Sequence, residues 1–176
     1  NDRIFLNFNN PIKELIFVIQ SLTINSSEIF NYSGKPKYLP VGVTEFTETL
    51  WFQIPNKHLL DKASLKINGN DRVSEKDYKY WHLVQNYEHY RNKLENNIYA
   101  FSFGLNKYEN SGSCNFSELD EVSLDIKLSN LTSEIYHRNG TTINIGPGTS
   151  NKIKVFATNY NILQIKNGMA AVMFPY

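Results

Sequence analysis

The sequence predicts an all-β fold: an antiparallel, eight-stranded jelly-roll sandwich with one short connecting helix. The first observation behind this is composition. Of 176 residues, 14% are aromatic, with 11 Tyr and 11 Phe, and flat rings together with β-branched Ile suit a pleated, half-buried surface better than a helix. The second is alternation. From Tyr99 to Leu105 the large residues Tyr99, Phe101, Phe103 and Leu105 alternate with Ala100, Ser102 and Gly104, the period of a strand with one buried face. The third is punctuation: Asn68-Gly69, Asn139-Gly140 and Asn167-Gly168 are dipeptides suited to two-residue turns with positive φ. Strands follow one another without a βαβ rhythm, so the sheets are expected to be antiparallel.

Taken in order, Asn10-Pro11 breaks the polar start, and Leu15–Ile19 is a continuous apolar run that Leu22 and Ile24 extend in alternation. This is a long strand, buried on both faces near its start. Asn25–Pro40 is a loop rich in Ser, Asn, Gly and Pro, and Val43–Ile54 a strand or strand pair ended by Pro55. Ala63, Leu65 and Ile67 alternate with Ser64 and Lys66 before the turn at Asn68-Gly69. Ser74–Tyr90 is the helical piece, with Ser74 and Asp77 as a loose capping box and Trp81, Val84 and Tyr87 or Glu88 at helical spacing. Val122, Leu124, Ile126 and Leu128 face inward on the next strand. Ile135 and Tyr136 lead through Asn139-Gly140 into a return over Thr141–Ile145, and Gly146-Pro147-Gly148 is a further break. Ile153, Val155 and Ala157 begin a strand that continues through Tyr160, Leu163 and Ile165, and Asn167-Gly168 turns the chain into a last strand, Met169–Phe174. Eight strands of this length with long loops suit a jelly roll better than an immunoglobulin-like sandwich.

Residues 1–176 read as a single jelly-roll domain, with no internal repeat, and a start at Asn1 without Met points to a fragment or processed piece. Eighteen basic and 17 acidic side chains give a net charge of +1. The basic residues are scattered rather than gathered on one face, so no nucleic-acid partner is expected. A lone cysteine, Cys114, excludes an internal disulfide and suits cytosolic assembly better than secretion. No apolar run reaches the roughly 18 residues of a membrane-spanning helix, so no direct membrane insertion is expected.

The reactive side chains form no recognisable catalytic or metal pattern. His82 and His89 could share a helix face, but HExxH and paired CxxC spacings are missing, and His58 and His137 stand apart. The carboxylates Glu45 and Glu48, and Glu118, Asp120 and Glu121, cluster as solvated loop or edge residues do. Cys114, between Ser113 and Asn115, is better placed to pack than to attack. No GxGxxG or GxxxxGK[ST] supports a nucleotide. Sequons at Asn25, Asn31, Asn115, Asn130 and Asn139 are hardly more than chance supplies. No catalytic, cofactor-binding or metal residue is therefore assigned, and no enzymatic activity or cofactor is expected.

Several segments nevertheless carry a resemblance in the right order. Asn10–Gln20 (NPIKELIFVIQ), Leu65–Arg72 (LKINGNDR), Trp81–His89 through Val84, Gln85, Tyr87 and His89, Ser111–Ser117 (SGSCNFS), and Val155–Met169 with its NYN and NGM are similar to successive stretches of the major capsid proteins of nucleocytoplasmic large DNA viruses. The likeness begins at the second, C-terminal jelly roll of that double jelly-roll family. It implies a structural module of an icosahedral shell, three copies of the whole protein forming a trimeric, pseudo-hexagonal capsomer through lateral interfaces. It also implies contact with neighbouring capsomers and minor capsid proteins, a place in the virion, and assembly in the host cytoplasm. The long loops Asn25–Pro40 and Asn130–Ser150 would face outward. A reading from another class is a jelly-roll carbohydrate-binding or host-attachment module, using exposed Trp51 or Trp81.

Overall fold

The computed structural model describes residues 2–21, 58–90, 94, 97–106, 108–129, 134–136, 142–144 and 151–174. The readings made at Asn25–Pro40, Val43–Ile54, Asn139-Gly140 and Gly146-Pro147-Gly148 lie outside them.

Two antiparallel sheets carry the fold. In the first, β1 (Asp2–Phe5), β7 (Val122–Leu128), β3 (Leu60–Ile67) and β4 (Asn70–Asp77) lie side by side in that order. In the second, β10 (Asn151–Asn159), β2 (Pro11–Ser21) and β5 (Ile98–Ser102) do so, and the short β6 (Cys114–Asn115) pairs with the start of β2. Among the described residues these two sheets hold eight strand segments. Two separate hairpins, β8 (Glu134–Tyr136) with β9 (Thr142–Asn144) and β11 (Leu163–Lys166) with β12 (Met169–Val172), make up the rest.

Alternation explains the core. Leu15, Phe17 and Ile19 of β2, Tyr99 and Phe101 of β5, Ala63 and Leu65 of β3, and Val122, Leu124 and Ile126 of β7 all belong to one buried cluster between the sheets. Phe17 stacks on Tyr99 with ring centroids 5.2 Å apart and meets Trp81 edge-on at 5.7 Å, geometries that aromatic quadrupoles favour. Glu14, Val18 and Gln20 are also buried, so β2 is covered on both faces.

The turns behave as their chemistry requires. Asn68 and Gly69 (φ 49° and 77°) join β3 to β4, and Asn167 and Gly168 (φ 53° and 76°) join β11 to β12. Two successive positive φ values match the right-handed twist of the flanking strands. Asn10, before Pro11, also has positive φ, at 70°.

Several expectations need correction. The strand from Ile153 ends at Asn159 rather than continuing through Leu163 and Ile165, which belong to the separate β11, and the last strand ends at Val172 rather than Phe174. The helix does not begin at Ser74, because β4 runs on to Asp77 and pairs with β3 beyond a register shift, Ala63 facing Lys76 and Lys62 facing Asp77. The turn at Asn68-Gly69 and the burial of Val73 hold this segment in the sheet, and tertiary pairing overrides the local capping pattern. The helix, α1, is π-helical over Tyr80–Val84 and α-helical over Gln85–His89. Asp77 opens it, its carboxylate accepting from the Lys79 and Tyr80 amides at 3.0 and 3.3 Å. Nor does the strand at Tyr99 reach Leu105. It stops at Ser102, and Leu105 is 79% exposed, because the chain bends at Gly104.

A charge on the inward face has no partner between these sheets and cannot be hydrated there. Leu124→Asp and Phe101→Asp are each expected to leave no soluble folded protein, and normal yield and melting of either would contradict the strand assignment.

Candidate assembly surfaces and the residues that frame them

Helix α1 runs along the free edge of β5. The bonds Phe103 N–H to Lys13 C=O and Asn97 C=O to Ile19 N–H fix the parity of the ladder: odd-numbered residues of β5 face β2, and Ile98, Ala100 and Ser102 present their backbone groups outward. Two α1 side chains meet them. Gln85 Oε1 accepts from the Ser102 amide at 3.0 Å, and His82 Nδ1 lies 3.0 Å from the Ile98 carbonyl, to which it donates. Trp81, with no exposed surface, plugs the core from the same helix and donates to the Lys76 carbonyl of β4 at 3.4 Å. The buried face of α1 is therefore Trp81, His82, Gln85 and Asn86, not the Trp81, Val84, Tyr87 line that apolar spacing indicates. Tyr90, just past α1, donates to Glu14 at 2.7 Å, and Thr158 donates to the other carboxylate oxygen at 2.9 Å.

His82 and His89 do not converge. His89 Nδ1 lies 3.1 Å from the Leu105 carbonyl, whereas the neighbour of His82 is His58, with ring centroids 4.6 Å apart. His58 also stacks on Tyr78 at 4.3 Å. Burial, with His82 adding like-charge repulsion, pulls the His58 imidazole down to about 4 from its ordinary 6.5. Asn97, fully buried with φ 60°, closes this end of the core: its Oδ1 accepts from the Leu59 amide at 2.7 Å and from the Tyr99 hydroxyl at 3.1 Å. Among the described residues no group of three or more His, Cys, Asp or Glu converges as metal ligands do, and His137, Glu45 and Glu48 lie outside them.

Ser111–Ser117 is a clasp. Gly112 (φ 154°) and Gly104 pack backbone to backbone, and a Cβ on Gly112 would stand 3.0 Å from the Phe103 carbonyl oxygen. Ser111 Oγ accepts from the Asn106 amide at 2.8 Å and donates to its carbonyl at 3.0 Å. Phe116 enters the core beside Phe103 and Phe8. Ser117 Oγ accepts from the Asn10 amide at 2.8 Å, while the Phe116 amide donates to the Asn10 carbonyl. Cys114 packs half-buried against the core, and burial pushes its thiol up, away from the reactive thiolate.

Among the described residues three outward surfaces stand out. The outer face of the β1–β7–β3–β4 sheet is a lattice of opposite charges: Arg3 on Asp125 (2.7 Å), Lys62 on Glu75 (2.9 Å), Lys127 on Asp61 (3.5 Å), and Lys66 between Asp71 and Asp125 (3.7 Å each). A shallow depression there is lined by three lysines and three carboxylates, whose charges cancel and leave no field to draw an anion. The second surface is apolar: Leu83, Val84 and Tyr87 on the outside of α1, with Leu105 and Tyr108, are exposed, Tyr87 to 91%. The third is the β11–β12 ribbon. Its register pairs Leu163 with Val172 and Ile165 with Ala170, so one face is entirely apolar, yet every residue of both strands is exposed. No helix among the described residues is long and apolar enough to cross a membrane. Of the tryptophans considered as sugar platforms, Trp81 is buried in the core and cannot serve, and Trp51 lies outside the described residues.

The described residues thus form an antiparallel β-sandwich that presents apolar side chains outward on α1 and on the β11–β12 ribbon. Residues 1–171 match the model of the family described as the large eukaryotic DNA virus major capsid protein, and the chain belongs to that family. It is 38% identical over 114 residues to the major capsid protein of Chrysochromulina ericina virus, covering 64% of this chain and 18% of that one. With the major capsid protein of Pyramimonas orientalis virus it is 27% identical over 199 residues, covering 99% and 39%. The chain thus spans well under half the length of these relatives. Among solved structures it matches the PBCV-1 virus capsid quasi-atomic model with a TM-score of 0.72 at 23% identity, over 99% of this chain and 46% of that one. That likeness carries the jelly-roll fold.

Two outcomes follow from the clasp and the histidine pair. Gly112→Ala combines a positive φ with a backbone contact and is expected to cost about 1–3 kcal/mol, read from the urea midpoint; an unchanged midpoint would contradict the close approach. His58 binds its proton more weakly when folded than the ordinary imidazole, so stability is full above pH 6.5 and falls as pH drops toward 4. The fall is about 1–2 kcal/mol once solvent screening is allowed for. Thermal melting against pH should show it, and His58→Phe should flatten it.

Proposed function

We propose that residues 1–176 are a structural module of a viral capsid shell that performs no catalysis, the C-terminal jelly roll of a protein with two. The observation that carries this reading is the match of residues 1–171 to the capsid family. Physical features support it. A two-sheet sandwich with one close-packed core is rigid, as a tile must be. The apolar outer side of α1 with Leu105, and the apolar face of the β11–β12 ribbon, are what lateral contacts between neighbours require, since larger exposed apolar patches mark interaction sites. These two surfaces differ, so contact between them would be heterologous and could close into a ring.

On this reading three copies of the whole protein form a trimer of pseudo-hexagonal outline. Six upright sandwiches approximate a hexagon and tile a near-flat face, with neighbouring capsomers and minor capsid proteins completing the shell. The protein then resides in the virion after assembly in the host cytoplasm.

The test is the assembly state of the complete gene product. Analytical ultracentrifugation is expected to give a trimer and electron microscopy a hexagonal outline. Leu83→Asp with Tyr87→Asp should weaken trimer formation or packing into arrays while moving stability by no more than about 0.5 kcal/mol per site, as exposed positions do. A monomer that makes no arrays would contradict the reading.

A further inference from the structure

The two described Asn-Gly turns share a backbone conformation but are secured very differently. Both are open to water: Asn68 and Asn167 are exposed, and nothing stands within 4 Å of where a Cβ on Gly69 or Gly168 would lie. Asn68 is nevertheless pinned. Its Oδ1 accepts from the Asp120 and Glu121 amides at 3.1 Å each, and its own amide donates to the Glu121 carbonyl at 2.8 Å. The strands it joins, β3 and β4, belong to a four-stranded sheet packed on the core.

Asn167 has no such hold. Among the described residues no hydrogen bond engages its side chain, and β11 and β12 pair only with each other. A two-stranded ribbon of this kind is marginally stable in water, and every residue of both strands is exposed. The base of the ribbon is tied, because Asn161 Nδ2 donates to the Phe174 carbonyl at 2.6 Å and its Oδ1 accepts from the Phe174 amide at 3.2 Å. The turn lies at the other end, where local opening costs least.

That difference has a chemical consequence. An Asn followed by Gly can react with its own backbone, since Gly carries no Cβ to obstruct the approach. Ring closure through Cα, Cβ, Cγ and the next nitrogen twists the backbone out of the turn, so the turn must yield first. We propose that Asn167-Gly168 is a site of spontaneous modification, at which the native protein converts Asn167 to aspartate and isoaspartate while Asn68 is preserved. The Gly168 nitrogen bonds to Cγ of Asn167, and the side-chain carbon–nitrogen bond breaks. Ammonia leaves, taking up by way of water the proton that the Gly168 nitrogen gives up. Water then opens the resulting succinimide at either carbonyl. Both products place a carboxylate at the tip of the ribbon, and isoaspartate also adds a methylene to the backbone, which a two-residue turn cannot hold in register. The site rests on the turn and its attachment, and stands whether or not the protein tiles a shell.

Incubation of the complete gene product in water enriched in heavy oxygen, followed by peptide mass spectrometry, tests the proposal. Cleavage after lysine and arginine puts the two Asn-Gly pairs in separate peptides, and the incorporated oxygen marks conversion that occurred during incubation. In the native protein Asn167 should convert about 100-fold faster than Asn68, the scale on which lost alignment slows an intramolecular attack. In denaturant, where neither turn persists, the two rates should become similar. A native rate at Asn167 no faster than at Asn68 overturns the proposal. So does a difference that survives unfolding in full, because neighbouring sequence rather than the hold on the turn then sets it.

Discussion

The backbone groups at the edge of a sheet must find partners, and a two-sheet sandwich has four edges at which to find them. In this chain the edge at β5 is met by side chains of a helix. Gln85 takes the Ser102 amide and His82 the Ile98 carbonyl, while Trp81 from the same turn fills the gap between the sheets. Much else follows from that arrangement. It fixes which face of α1 is inward, puts Leu83 and Tyr87 outside, holds His82 against His58, and leaves the β1–β10 side as the one without a seal among the described residues.

At one end of the sandwich a second joint holds the sheets in register. Asn10 enters β2 with positive φ, and its amide and carbonyl are both bound by Ser117 and Phe116. Phe116 meanwhile packs into the core, and Gly104 and Gly112 let two backbones touch. The SGSCNFS segment therefore has a mechanical role: it ties the β1–β2 turn to the connection between β5 and β7. Cys114 serves there as a small half-buried group, and desolvation pushes its thiol further from the thiolate.

What was legible in the sequence was what local physics dictates. Period-two alternation located β3, β5 and β7 with their inward residues, and the Asn-Gly pairs located both described two-residue turns. The helix was misjudged for a physical reason. Beside Trp81 its buried face carries polar His82, Gln85 and Asn86, two of which hydrogen-bond an open strand edge, so apolar periodicity points at Val84 and Tyr87, which are exposed. Ser74 and Asp77 have the spacing of a helix cap, but tertiary pairing with β3 overrides it. The His58–His82 contact and the buried Asn97 unite residues from separate elements, and no single-sequence period reports such a meeting. Sequence resemblance supplied the capsid family, and the fold adds which surfaces are free to meet a neighbour.

The arrangement depends most directly on α1 side chains completing the β5 edge, and hydrogen exchange at one amide examines that. The Ser102 amide should be strongly protected in the native protein. In Gln85→Leu, which removes its acceptor while keeping the bulk, the Ser102 amide should lose most of its protection, with a stability loss of about 1–3 kcal/mol for the orphaned donor. The Phe101 amide, which faces β2, should keep its protection beyond that global change. Undiminished protection at Ser102 in the variant would contradict the account.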